Sequence, residues 1–285
     1  MSERLFLRLD DDPVQGPEAD APAGTLRALP VGAALQAHVS HVLLCREDFA
    51  AGNEVVERVL PDGAVRLIFN LGETVSPSAV VVGATTAPAL VRLRGRMDGV
   101  SLTLRPGAVA GLLGLPAGEL AGAAVPLHTL WRGEGMALLE RLAEAPGDAA
   151  RMALLHAALR HRLDEAERGS ATQRAATHAA RLIAASGGRR PLREVAAAVG
   201  VGERRLQQLF HAQVGLSPRA WGRLARLHGC MRGLRRQAEP DWAEVALEHG
   251  YYDQSHLANE FRALCGLTPA EFLGRAVSGS SKTAG

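Results

Sequence analysis

Lysine is all but absent from this chain: of 32 basic residues, only Lys282 is not arginine. The positive charge therefore comes almost wholly as planar guanidinium, which suits bidentate contacts. Cysteine is scarce too. Cys45, Cys230 and Cys265 are odd in number and widely spaced, which argues for free thiols in a reducing cytoplasm. No run of about 18 uncharged apolar residues occurs, so a membrane-spanning helix is not expected. The first residues have neither the basic flank nor the apolar core of a signal peptide. The phosphate-cradling GxxxxGK[ST] loop and the HExxH, GxSxG and GxGxxG patterns are all missing, so nothing points to nucleotide, zinc-protease, hydrolase or dinucleotide chemistry. The expectation is a cytoplasmic non-enzyme with no cofactor and no metal.

What is present is a repeat. Leu206 to Pro218 (LQQLFHAQVGLSP) recurs as Leu257 to Pro269 (LANEFRALCGLTP) at an offset of 51. Upstream, Glu194-Val195-Ala196 through Gly200 recurs as Glu244-Val245-Ala246 through Gly250 at an offset of 50. The turn between the two pieces is thus one residue longer in the second copy. Each copy reads as a short helix, a glycine-containing turn and a second helix with a regular apolar stripe. That is the outline of a helix-turn-helix, which places its second helix in the DNA major groove.

At about 100° per residue, Leu206, Leu209 and Phe210 share one arc and face a core. Arg204, Gln208 and His211 lie opposite, with Gln207 and Arg205 on the flanks. In the second copy Leu257, Phe261 and Leu264 point inward, while Ser255, Asn259 and Arg262 point out. Arg, Asn, Gln and Ser are residue types that hydrogen-bond base edges. The expected base-edge contacts are Arg204, Gln207, Gln208, His211, Gln254, Ser255 and Asn259. Arg205, His256 and Arg262 are expected at backbone phosphate. Charge agrees: residues 170–285 hold 16 Lys+Arg against 9 Asp+Glu, whereas residues 1–169 hold 16 against 21. A basic half is what phosphate neutralisation requires.

These residues carry a resemblance. Leu192 to Gly200, Leu206 to Phe210, Gly215-Leu216-Ser217-Pro218, Gly250-Tyr251, Asp253-Gln254-Ser255-His256 and Gly266-Leu267-Thr268-Pro269 with Phe272 resemble the AraC/XylS-type DNA-binding domain of bacterial transcription regulators, over about 177–276. The resemblance implies two helix-turn-helix units joined by a long helix, here expected over Arg219 to Arg236. Two departures stand out. Gly202 replaces the family's usual side-chain cap, at a cost of about a few tenths of a kcal/mol. Asn259 stands where many relatives carry Arg, so base preference does not carry over.

The N-terminal half has another texture. Residues 10–24 are acidic and rich in Pro, Gly and Ala, and disorder is expected over 1–24. Strands are expected over Val55–Leu60, Val65–Leu71, Ala79–Val82, Ala89–Leu93 and Gly99–Leu104, the first two flanking the turn Pro61-Asp62-Gly63. Helices are expected over Ala108–Leu113, Gly135–Ala143 and Ala149–Glu167. The predicted fold class is α+β: a β-rich, barrel-like domain with helices (25–168), a linker (169–174), an all-α domain (175–276) and a disordered tail (277–285). Leu60-Pro61-Asp62-Gly63, Ile68 to Gly72, Val82-Gly83, Arg105 to Ala108 and Val125-Pro126-Leu127 resemble an uncharacterised domain found in front of many AraC-type DNA-binding domains. In better-understood relatives that position holds a sensor or dimerisation module. The implied partners are promoter DNA, RNA polymerase, a small-molecule effector and a second copy of the chain. Sensor and pairing module remain equal readings.

His38, His41 and Cys45 form an HxxHxxxC cluster, with His128 as a distant fourth, but Leu35 and Val42 share their helical face and packing is the expected use. The strand candidates contain no His, which disfavours an oxygenase triad. Arg66, Arg92, Arg94 and Arg96 read as a solvent face rather than an anion site. The alternative function is a DNA-associated enzyme such as a methyl-accepting repair and regulatory protein, which requires clustered cysteines that this chain does not have. A fragment from about residue 170 onward is expected to bind DNA with the full chain's preference.

Overall fold

The turn at Pro61-Asp62-Gly63 carries the chain from one sheet to another. Asp62 Oδ1 accepts from the Ala64 amide at 2.9 Å, Gly63 adopts φ +76°, and Arg66 pairs with Asp62. Before the turn, strand β5 (Glu54–Val59) lies in a four-stranded sheet with β1 (Glu3–Leu7), β2 (Glu18–Ala19) and β8 (Ala89–Arg94), in the order β2-β1-β5-β8. After it, β6 (Arg66–Asn70) enters a six-stranded sheet with β3 (Leu26–Leu29), β4 (Val39–Asp48), β7 (Ser78–Val82), β9 (Arg96–Leu104) and β10 (Ala124–Pro126), in the order β10-β7-β6-β9-β4-β3. All pairings are antiparallel except β1 with β5. This computed structural model describes residues 3–7, 18–19, 21–22, 24–72, 78–165, 171–234 and 239–280. Among them the strands form two open sheets rather than one closed wall.

The longest strand, β4, is one the sequence does not predict. It pairs with β9 from Val39 opposite Leu104 to Asp48 opposite Arg96, with an irregularity between Val39 and His41. Arg46 faces Asp98 and Asp48 faces Arg96, opposite-charge pairs of the kind that steady an antiparallel register. β4 therefore corrects the expectation that the strands contain no His: His41 lies within it. β1 corrects another, since it stands inside the stretch 1–24 expected to be disordered; residues 8–17 lie outside the described residues. Of the predicted linker, 171–174 form the first turn of α4 and 169–170 lie outside the described residues. Of the predicted tail, 277–280 continue α10 and 281–285 lie outside.

Helices α1 (Val109–Leu113), α2 (Leu127–Glu144) and α3 (Asp148–Glu165), with the short 3-10 helix η2 (Ala117–Leu120), complete the N-terminal half. α2 starts well before the predicted Gly135 and bends at Arg132, where φ is +49°. The helical half follows: α4 (Ala171–Ala185), α5 (Leu192–Ala198), α6 (Glu203–Val214), α7 (Pro218–Leu234), α8 (Trp242–Glu248), α9 (Gln254–Cys265) and α10 (Pro269–Ser280). The starts of α5 and α8 are 50 residues apart and those of α6 and α9 are 51 apart, matching the offsets in the sequence. Gly215 and Gly266 end α6 and α9 in the left-handed conformation, their amides donating to His211 O and Arg262 O. A glycine closes a helix there without Cβ strain.

The two halves share apolar packing. A small cluster around Phe210, with Ala180, Ile183, Val195 and Leu206, draws its buried residues from α4–α6, and Trp221 of α7 packs against it. A second, large cluster runs from Phe69, Val81 and Leu102 of the six-stranded sheet through Leu224 and Met231 of α7 to Phe261 and Phe272. Polar contacts stitch the same seam. His228 Nε2 donates to Pro61 O at 2.9 Å, the Gly107 amide to Gln213 O at 3.0 Å, and Thr177 Oγ1 to Pro106 O at 2.9 Å. The cavity at this seam, between Val65, Leu104, Val109 and Val214, encloses only about 10 Å³, room for roughly one water.

Candidate nucleic-acid interface

α6 forms because its apolar positions recur at helical spacing: Leu206, Leu209, Phe210 and Val214 are buried. Phe210 meets the edge of Trp221 at 6.2 Å, and Trp221 Nε1 donates to Ala180 O at 3.1 Å, fixing α6 and α7 to α4. Gly202 is the N-cap in an extended conformation and provides no side-chain cap. Arg204, Arg205, Gln207 and Gln208 are all exposed on the outer arc. His211, the remaining member of the predicted arc, is also exposed, but its ring lies over Gly118 of η2. A Cβ built on Gly118 would stand 2.6 Å from His211 Nε2. The structure thus sets His211 against η2 of the N-terminal half, one turn beyond Gln207 and Gln208 on the same helix.

α9 repeats the pattern with a better cap. Asp253 Oδ1 accepts from the His256 amide at 2.7 Å. Leu257, Phe261, Leu264 and Cys265 are buried, while Gln254, Ser255, His256, Asn259 and Arg262 are exposed. The His256 ring stands edge-on to Tyr251 at 5.5 Å, and its Nδ1 accepts from the Tyr252 amide at 3.2 Å. In the neutral ring that places the proton on Nε2, a donor directed away from its own backbone. Sequence reasoning missed Tyr252, which is 85% exposed beside the N-terminus of α9. The signal was available: of two adjacent aromatics at 251 and 252, only one can enter the core.

α7 holds the two units together. Arg223 makes a bidentate pair with Glu260 of α9 at 2.8 and 2.9 Å. Arg189, from the turn before α5, donates to Glu248 O at the end of α8 at 3.0 Å, a favourable place for a cation. Gly188 and Gly222 touch backbone to backbone; a Cβ on Gly188 would meet Gly222 O at 2.1 Å. The opposite side of α7, with Trp221 and Leu224, packs on Gly63.

The other side chains singled out in the sequence are engaged elsewhere. His41 is buried with Ser40 Oγ at 2.9 Å and Thr103 Oγ1 at 3.0 Å. Arg66 pairs with Asp62, and Arg92 with Glu54 at 2.7 Å. His38 precedes β4, and no group of three or more His, Cys, Asp or Glu among the described residues is placed to hold a metal. Burial pushes the Cys45 thiol up to about 11 and the Cys230 thiol up to about 12, and raises Cys265 as well. No helix among the described residues is long and apolar enough to cross a membrane.

Residues 195–275 match the family model of a helix-turn-helix domain, and residues 28–126 match that of a domain of unknown function, DUF6597. Among solved structures, a transcriptional regulator from Chromobacterium violaceum, titled as an AraC-type DNA-binding domain-containing protein, is 24% identical over 37% of this chain and 94% of its own, with a TM-score of 0.35. ToxT from Vibrio cholerae matches 82% of this chain and 97% of its own at 9% identity and a TM-score of 0.40. ToxT with bound unsaturated fatty acid matches 81% and 94% at 11% identity and 0.39. None of the curated proteins compared matches the chain. Two helix-turn-helix units with polar outer arcs are the arrangement of a DNA-binding domain. The unit pair falls almost wholly within the match to the helix-turn-helix family model, and the sheets that precede it fall largely within the match to DUF6597.

Proposed function

We propose that this chain is a transcription regulator that lays α6 and α9 in two successive major grooves on one face of a duplex. The observation that carries the reading is the repetition itself: two helices of 12 residues, capped alike at the C-terminus, each with an exposed polar arc and braced to one α7. α7 has 17 residues, about 25 Å at the usual rise. That suits units set roughly one turn of B-DNA apart, about 34 Å. Arg204, Gln207 and Gln208 read base edges in one half-box, and Gln254, Ser255 and Asn259 read them in the other. Arg205, His256 and Arg262 hold phosphate. His211 is reassigned from base reading to the seam. Because the two arcs differ in residue type, the site of one molecule is asymmetric.

The domain preceding the reader controls it, through a small-molecule effector or by pairing two copies, and the protein works in the cytoplasm, where RNA polymerase is its further partner. The shared apolar cluster supports control by contact. A methyl-accepting role is disfavoured because all three thiols are held protonated at neutral pH, and a methyl acceptor needs a thiolate. The test is footprinting on a duplex selected by the full-length protein. Arg204→Ala and Asn259→Ala should each cost about 1–3 kcal/mol and relax preference in different half-boxes. An insertion of about 5 bp between the half-boxes should turn one box to the far side of the duplex and leave only one protected. Equal protection of both after that insertion would overturn the two-headed reading.

A further inference from the structure

A cleft of about 370 Å³ lies at the waist of the reader, between the α4–α5 turn, α7 and the α8–α9 turn. Its charged lining is Arg189, Arg226, Glu248 and His249. Arg223, on another row of α7, is neutralised by Glu260 of α9. The arginines of the cleft are not. Arg226 donates to Gly188 O at 3.5 Å and lies over the Tyr251 ring with Cζ 5.6 Å from the centroid. Its Nε is buried with no hydrogen-bond partner, and no carboxylate among the described residues pairs with it. Among the described residues, Arg189 donates to the carbonyls of Ser186 and Glu248 and to no carboxylate. The single acid, Glu248, keeps a largely exposed side chain, 4.0 Å from His249 Nε2. Two guanidinium charges are thus fixed by neutral groups, which orients them without cancelling them. Burial is the main cause that lowers the His249 pKa; Glu248 acts against it, and Arg189 and Arg232 add to it.

The direction of the cleft is set by α7. Trp221, Leu224 and His228 face the N-terminal half at Gly63 and Pro61. At about 100° per residue, Arg226 lies on the opposite side of the helix. Gly229 also lines the cleft, and a Cβ on Gly233, one turn further, would stand 2.7 Å from His249 Nε2. Glycine on this row lets the α8–α9 turn sit close against the helix. A duplex engaging α6 and α9 together must carry the minor groove between its two major grooves, with the flanking phosphates, past the stretch between the units.

We infer that this waist cleft is a seat for a backbone phosphodiester of the bound DNA, held by Arg226 and Arg189 between the two half-boxes. The inference rests on the DNA reading proposed above and adds a third point of contact that is blind to base sequence. It makes the minor-groove stretch part of the footprint, and it ties the two units to one duplex at their midpoint.

The experiment uses the full-length protein and a duplex it selects. Neutral methylphosphonate links are placed one at a time between the half-boxes, and binding is followed over a range of salt. One or two positions should weaken the parent protein, by roughly three- to tenfold, and should have no effect on Arg226→Gln. That variant should lower the salt slope by about one, leave base preference unchanged, and unfold at the parent's temperature; Arg226→Lys should keep the slope. An affinity loss with an unchanged slope, or methylphosphonate effects equal in parent and variant, would overturn the phosphate seat and leave Arg226 a brace. Thermal protection by inorganic phosphate that Arg226→Gln abolishes, without any methylphosphonate effect, would overturn the DNA assignment in favour of a free small anion. Failure of the parent to select any duplex would instead sink the DNA reading itself.

Discussion

In the first reading unit the apolar faces of α4, α5 and α6 meet around Phe210 and form a cluster of their own, whereas in the second the matching faces around Phe261 run without a break into α7 and the sheets. The repeat that makes the two units equal in sequence does not make them equal in support. The first has a helix, α4, in front of it to complete its core. The second is completed by α7, α10 and, through them, by the N-terminal half. Whatever loosens that half is therefore felt in the second unit's core directly, while the first unit meets it where α6 ends, at His211, Gln213 and Gly215, and in the first turns of α4, at Gln173 and Thr177. Two readers with unequal support form a natural basis for control of one half-box through the other domain.

The largest expected effect comes from removing that support. A chain beginning at Ala171 lacks the turn at Pro61 and Gly63 that packs on Trp221, Leu224 and His228. Against the expectation from sequence, its two units should part company. Hydrogen exchange should stay slow in α4–α6 and become fast in α8–α10, and DNA affinity should fall to that of one unit. Equal protection in both units, with full affinity, would remove the asymmetry from the comparison.

Next come the two buried phenylalanines. Phe210→Ala and Phe261→Ala each empty a fully buried site, at about 3–5 kcal/mol. The costs should be similar and their spread different. Loss at Phe210 should melt the first unit separately. Loss at Phe261 should lower the transition of the N-terminal half as well, read by calorimetry as one displaced peak. Two independent transitions in the Phe261 variant would show that the shared cluster is not cooperative.

The caps sharpen the comparison at the smallest scale. Asp253 caps α9 through the His256 amide, and Asp253→Ala should cost about 1 kcal/mol. Gly202 is extended, at φ −78°, with nothing near its missing Cβ, so Gly202→Asp should gain about a few tenths of a kcal/mol. Denaturant titration of the two variants would read both, and a loss on Gly202→Asp would show that the first cap is already satisfied by other means.

The outer arcs were legible in the sequence because they depend only on helical period and on residues within one helix. The helix-turn-helix bounds followed from the repeat, and β5 to β9 from β-branched runs bounded by Pro and Gly. β4 was hidden for a physical reason. Its first half, Val39 to Leu44, is buried on both faces, which erases the alternation that marks a half-exposed strand. β1 was masked by Arg4, a buried arginine paired with Glu47 at 2.8 Å, which reads as a solvent residue until its partner strand is known. The waist cleft and the position of His211 lay beyond the sequence, since each joins segments that no local pattern links.

The contact between Gly188 and Gly222 has a consequence for how such a reader can diversify. Any side chain at Gly188 would need the units to part by about 1 Å to regain a tolerable contact, while a hydrogen bond to a base edge tolerates roughly half an ångström. The outer arcs are interchangeable parts, open to substitution one residue at a time. The waist is the gauge of the track. Descendants of this chain can change which letters they read far more readily than they can change the distance between the words.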